Sequence, residues 1–180
     1  MRKRRFTLLM IVFIGMIFSS GTMAQNCLDF DGTNDYCSGT GVSTSLTGIT
    51  IEVWVKHNSI GNTIQRYVTV GSEVAVLRYD GVVFGNAHLL HFYVKKTDGT
   101  LYSIYTFTQP VVGEWIHVAG TYDGTDIKIY TNGELKENTS TGAGLYAPSG
   151  DVSLSKATEP LDGSMDEVRI WNYARSQIDL

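Results

Sequence analysis

The sequence predicts an all-β fold, an antiparallel sandwich or barrel, on three observations. Beyond residue 25, apolar residues recur with period two far more often than with period 3.6. Asp-Gly and Asn-Gly pairs punctuate the alternating runs, and type I′ hairpin turns favour these pairs because they need positive φ. The strands so defined follow one another at intervals of roughly 8–12 residues, with almost no helical periodicity between them.

Each element follows in order. Ile49, Ile51, Val53 and Val55 alternate with Thr50, Glu52, Trp54 and Lys56. The strand His91–Lys95 runs into Asp98-Gly99, and Leu101–Tyr105 leaves that turn. Trp115–Tyr122 meets Asp123-Gly124, Asp126–Tyr130 follows, and Asn132-Gly133 turns the chain into Glu134–Lys136. Asp80-Gly81 is a further hairpin candidate, Val168–Trp171 a last strand and Tyr173–Ile178 a short helix. Ser140–Gly150, small and polar, reads as a surface loop.

The first 24 residues read differently. Met1–Arg5 carries four bases, Phe6–Phe18 is an apolar run, and small residues lead to Thr22 and Ala24 at the −3 and −1 positions of a cleavage site. This is the layout of a secretory signal peptide. Thirteen helical residues rise only about 20 Å, short of a ~30 Å hydrocarbon core, so the segment is not read as a membrane span. The expected division is a leader over residues 1–24 and one exported, extracellular domain over 25–180, with no span in the mature chain. Without the leader's four bases, 18 acids face the other ten bases. An acidic domain without a basic stripe is a poor holder of phosphate backbones, which excludes nucleic-acid binding.

Export bears on Cys27 and Cys37. In an oxidising compartment this pair fits a disulfide better than a metal half-site, with two free thiols as the alternative. A fold-back at Gly32–Asn34 would set the cysteines across a hairpin, within the ~5.5–6 Å Cα spacing a bridge needs.

Four blocks carry a family resemblance. Leu28–Tyr36, Ile49–Lys56, Trp115–Gly133 and Leu161–Asn172 resemble, in order and spacing, laminin-G-like jelly-roll domains of the concanavalin A-like lectin/glucanase superfamily. The resemblance implies a jelly roll over essentially all of residues 27–180. It says little of function, since that superfamily holds lectins, polysaccharide-binding modules, glycosidases and adhesion modules. It also implies structural Ca²⁺ in some members. Here Asp31, Asn34 and Asp166 are the first candidates, with Asp35 in reserve, provided the first and last strands pair and bring the acidic spots together. The alternative is that these residues only make turns with their own backbone.

Catalysis is not expected. A glycosidase needs two carboxylates across the scissile bond, and a Glu-x-Asp-x-Glu run would place them on one strand face. The chain has none; adjacent Asp166 and Glu167 would point to opposite faces, as would His88 and His91 as a metal pair. Binding is the better reading, because aromatic faces stack on sugar rings while hydroxyls and amides take their polar edges. Trp54, Trp115 and Trp171 fall in the family blocks and read as packing. Tyr67, Tyr79, His91, Tyr93, Tyr102 and Tyr105, from the stretch outside those blocks, are the candidate ligand-binding face. The expectation is a secreted, non-catalytic module for extracellular carbohydrate or glycoprotein. The alternative is an adhesion or structural module contacting protein within a larger exported enzyme or adhesin.

Overall fold

A computed structural model describes residues 27–40, 48–82, 89–142 and 150–180. The leader, His88 and most of the Ser140–Gly150 loop lie outside these. The described residues form twelve strands: β1 (Leu28–Asp31), β2 (Cys37–Thr40), β3 (Ile49–His57), β4 (Ile64–Val70), β5 (Ala75–Asp80), β6 (Leu89–Lys95), β7 (Leu101–Thr106), β8 (Trp115–Tyr122), β9 (Asp126–Thr131), β10 (Glu134–Ser140), β11 (Asp151–Leu154) and β12 (Asp162–Trp171). They make two six-stranded sheets, ordered β1-β12-β3-β8-β9-β10 and β2-β11-β4-β5-β6-β7, with every pairing antiparallel. This is the expected β-sandwich of jelly-roll type. Among the described residues no helix is long and apolar enough to cross a membrane.

The core lies between the sheets. From the first sheet come Ile49, Ile51, Val53, Val55, Ile116, Val118, Tyr122, Ile127 and Ile129; from the second come Val68, Val70, Leu77, Leu90, Phe92, Val94 and Ile104. One glycine is dictated by this contact: a Cβ on Gly120 would sit 2.3 Å from Cγ of Phe92, so β8 can approach the second sheet only without a side chain there. Asn132 and Gly133, both at positive φ (50° and 75°), make the two-residue turn between β9 and β10.

Four expectations need correction. The Gly32–Asn34 hairpin does not form, because β1 pairs with β12 in one sheet and β2 with β11 in the other. Cys27 and Cys37 are free thiols here, with Cys27 Sγ donating to Asp29 Oδ1 at 3.6 Å; burial pushes the Cys37 thiol up. Asp80-Gly81 does not make a two-residue turn: β5 ends at Asp80 and pairs antiparallel with β6, which begins only at Leu89. The terminal helix shrinks to a 3-10 turn over Gln177–Asp179. The residues before that turn lie across the first sheet instead: Thr50 Oγ1 donates to Tyr173 O (2.8 Å) and accepts from Arg175 N–H (2.8 Å).

Candidate functional site

Strand alternation decides what faces outward. In β3 the odd-numbered residues enter the core, so Thr50, Glu52, Trp54 and Lys56 project from the outer face of the first sheet. Register sets Trp54 opposite His117 and Lys56 opposite Trp115 on β8, and Trp54 opposite Asp166 on β12. Trp171 pairs with Thr50 on the same face. All three tryptophans are thus on the outside of the sandwich and none belongs to the core, which corrects their reading as packing residues. Trp54 is 38% exposed.

A β-bulge between Asp166 and Arg169 reshapes this face, with Glu167 in the left-handed region (φ 50°). The bulge breaks the strict alternation that would send two consecutive carboxylates to opposite sides. Asp166 and Glu167 both line one shallow hollow of about 300 Å³ whose other walls are Trp54 and Trp115. Within it, Asp166 Oδ1 accepts the Glu167 N–H (2.8 Å), and Glu167 ion-pairs with Arg169. Lys56 Nζ lies 5.1 Å from the centroid of Trp115.

Glu52 supports this face from below. Its side chain is 1% exposed; Oε1 accepts from Trp171 Nε1–H (2.8 Å) and from Arg175 (2.7 Å). Among the described residues Oε2 has no hydrogen-bond partner, with His117 Nε2 3.4 Å away. Burial alone would raise the Glu52 pKa, but His117, Trp171 and Arg175 more than offset it and hold the carboxyl below its ordinary range. The His117 ring in turn packs at 5.4 Å against Trp54.

The six residues expected to form one ligand face divide between two. Tyr67 and Tyr79 are fully buried and Tyr102 is packed against the core, so all three face the sandwich interior. Tyr67 and Tyr79 are inside because their polar ends have partners there. Tyr67 OH lies 2.8 Å from His57 Nε2, Tyr79 OH donates to Gly61 O (2.9 Å), and Gln65 Oε1 sits 3.1 Å from His57 Nδ1. His57, a residue the sequence did not single out, is pushed down to about 4 by burial.

His91, Tyr93 and Tyr105 do share the outer face of the second sheet, but within a closed polar network. His91 stacks on Tyr105 (4.0 Å, 18°), and Arg78 donates from Nε to His91 Nδ1 (3.0 Å) and from Nη2 to Asp80 Oδ2 (2.7 Å). His91 is 2% and Tyr93 5% exposed. Burial lowers the His91 pKa and raises that of Tyr93.

The calcium candidates do not converge. Asp31 pairs with Asp162, four positions along β12 from Asp166, and its Oδ1 accepts the Thr33 N–H (2.8 Å) in its own turn. Asp35 Oδ2 likewise accepts the Asp31 N–H (3.3 Å). Among the described residues no three His, Cys, Asp or Glu side chains are grouped closely enough to hold a metal ion. Asp31, Asn34 and Asp166 therefore do not form one donor set.

The family model described as the concanavalin A-like lectin/glucanases superfamily matches residues 31–180, and the chain belongs to that family. A curated relative, mouse pappalysin-1, is 26% identical over 105 residues, covering 53% of this chain but only 6% of its own length. Two solved structures align over nearly their whole length. The CBM40 domain of the Ruminococcus gnavus IT-sialidase, bound to α2,3-sialyllactose, matches with TM-score 0.61 and 20% identity, over 86% of this chain and 95% of that one. Domain 4 of AbnA, a GH43 extracellular arabinanase from Geobacillus stearothermophilus in complex with arabinotriose, matches with TM-score 0.57 and 17% identity, over 83% and 84%. At these identities the likeness establishes the fold.

Proposed function

We propose that this domain is an exported module that binds a saccharide, free or on a glycoprotein, without cleaving it, through the hollow between Trp54 and Trp115. The observation that carries this reading is the pair of outward indole rings beside two carboxylates. Flat apolar faces suit the C–H faces of a sugar ring, and acceptor oxygens at their edge suit its hydroxyls. The neighbouring folds bound to sialyllactose and arabinotriose support the class of ligand.

The carboxylates favour holding over hydrolysis. A glycosidase acid is kept in a buried, desolvated pocket opposite its partner. The Glu167 side chain is instead 52% exposed and ion-paired with Arg169, while Asp166 is tied to the Glu167 backbone.

A glycan array probed with the purified domain and with Trp54→Ala and Trp115→Ala tests the reading. The expected result is a restricted set of bound glycans, with signal falling at least about tenfold in each variant, as the loss of a stacking contact predicts. Binding unchanged in both variants would move the site elsewhere. Release of reducing sugar from a bound polysaccharide, abolished by Glu167→Gln, would make the domain an enzyme.

A further inference from the structure

Resting on the site just proposed, we infer that its ligand is an uncharged saccharide presenting hydroxyl donors, and that Asp166 is the residue that selects it against acidic sugars. The carboxylates of Asp166, beside Trp54, and Glu167 line the hollow, with the Lys56 ammonium over the Trp115 ring, and an ionised carboxylate only accepts hydrogen bonds. A neutral hexose or pentose offers hydroxyls that donate to such groups. A sialic or uronic acid brings a carboxylate that cannot donate and meets like charge at the same edge.

The two acids do not contribute equally. Glu167 is engaged by Arg169, which neutralises it and holds its carboxylate. Asp166 spends Oδ1 on the Glu167 N–H, and its Oδ2 has no hydrogen bond among the described residues. Asp166 is only partly buried, so that oxygen is held ready beside Trp54 at little desolvation cost. The bulge makes the arrangement possible, because the left-handed Glu167 turns its own N–H back onto Asp166 and fixes the carboxylate's orientation.

Direct binding of the full domain to matched pairs tests this: neutral oligosaccharides and the same oligosaccharides carrying a sialic or uronic acid unit, titrated against wild type, Asp166→Asn and Trp54→Ala. Neutral members should bind wild type at least about tenfold more tightly than acidic ones, the worth of one hydrogen bond to a charged group. Asp166→Asn should lose about tenfold toward neutral sugars and narrow the gap, since the amide offers donors. Thermal midpoints of the variants confirm that each is folded. An acidic member binding as tightly as its neutral counterpart in a Trp54-dependent way, or Asp166→Asn keeping wild-type selectivity, overturns the inference while leaving the site intact. Saccharide binding that ignores Trp54→Ala overturns the site itself.

Discussion

The two outward faces of this sandwich are built from the same alternation and end in different states. On the second sheet, long polar side chains interlock. Arg66, with 3% of its side chain exposed, holds Glu159 (2.5 Å) and Glu73 (2.9 Å), and Lys156 closes the group through Glu73 (2.8 Å). Arg78, Asp80, His91 and Tyr105 form a neighbouring knot. On the first sheet the buried anchor, Glu52, lies under one end, and Trp54, Trp115 and the bulged carboxylates are left standing at the other. Aromatic residues on an outer face are therefore not evidence of a site by themselves. Whether their neighbours saturate them decides it.

The largest effect expected from this contrast is at Arg66. Arg66→Ala leaves the part-buried Glu159 without its cation and removes the side-chain tie between β4 and the segment before β12, while the backbone bond from the residue 66 N–H to Glu159 O stays. Breaking one partner of a buried pair should cost about 3 kcal/mol, with the half-exposed Glu73 contributing little because solvent screens it. Urea unfolding monitored by circular dichroism measures this. A loss below about 1 kcal/mol would mean the network is loose enough to admit a ligand, and the two faces would change places.

Next comes the inter-sheet knot at His57. Gln65 Oε1 can only accept, so Nδ1 carries the proton and Nε2 accepts from Tyr67 OH, which is the neutral imidazole. With a folded pKa of about 4 against an ordinary 6.5, the unfolded chain takes up the proton first as pH falls. Stability is thus full above about pH 6.5 and drops through the window down to about 4, by about 3 kcal/mol from this residue. Glu52, depressed by its partners, adds a loss that begins as pH falls through the ordinary carboxylate range and continues below it. NMR titration of the His57 ring, with unfolding free energies at pH 7, 4.5 and 3, checks both. A ring that titrates near 6.5 would remove the predicted slope.

Much of this was legible in the chain. Periodicity gave the sandwich, and Asn132-Gly133 gave a hairpin turn because little else accepts two positive φ values in succession. The parity of β3 also held the site: Val53 and Val55 in the core require Trp54 outside, a signal outweighed by reading tryptophans in family blocks as packing. Parity likewise separates Tyr102 from Tyr105, three apart on one strand. Other features depend on register and bulges that no local pattern encodes. Tyr67 sits where β4 shifts register between Arg66 and Val68, and Asp166 and Glu167 share a hollow only because β12 bulges. The pairing of Asp31 with Asp162 rather than Asp166 is again a matter of register.

The smallest expected effects sharpen the comparison most. Tyr105→Ala removes a stacked ring from His91 and should destabilise the fold by about 1 kcal/mol, the usual worth of an aromatic pair. Trp54→Ala removes a larger side chain, yet one that meets His117 at a tilt and is more than a third open to water, so its cost should stay below about 1 kcal/mol. A tryptophan cheaper to delete than a tyrosine is not placed for packing, and its exposed area is available to a ligand. Paired unfolding curves decide the matter. Should Trp54→Ala cost as much as Arg66→Ala, the indole is a structural support and the first sheet's face is as closed as the second's.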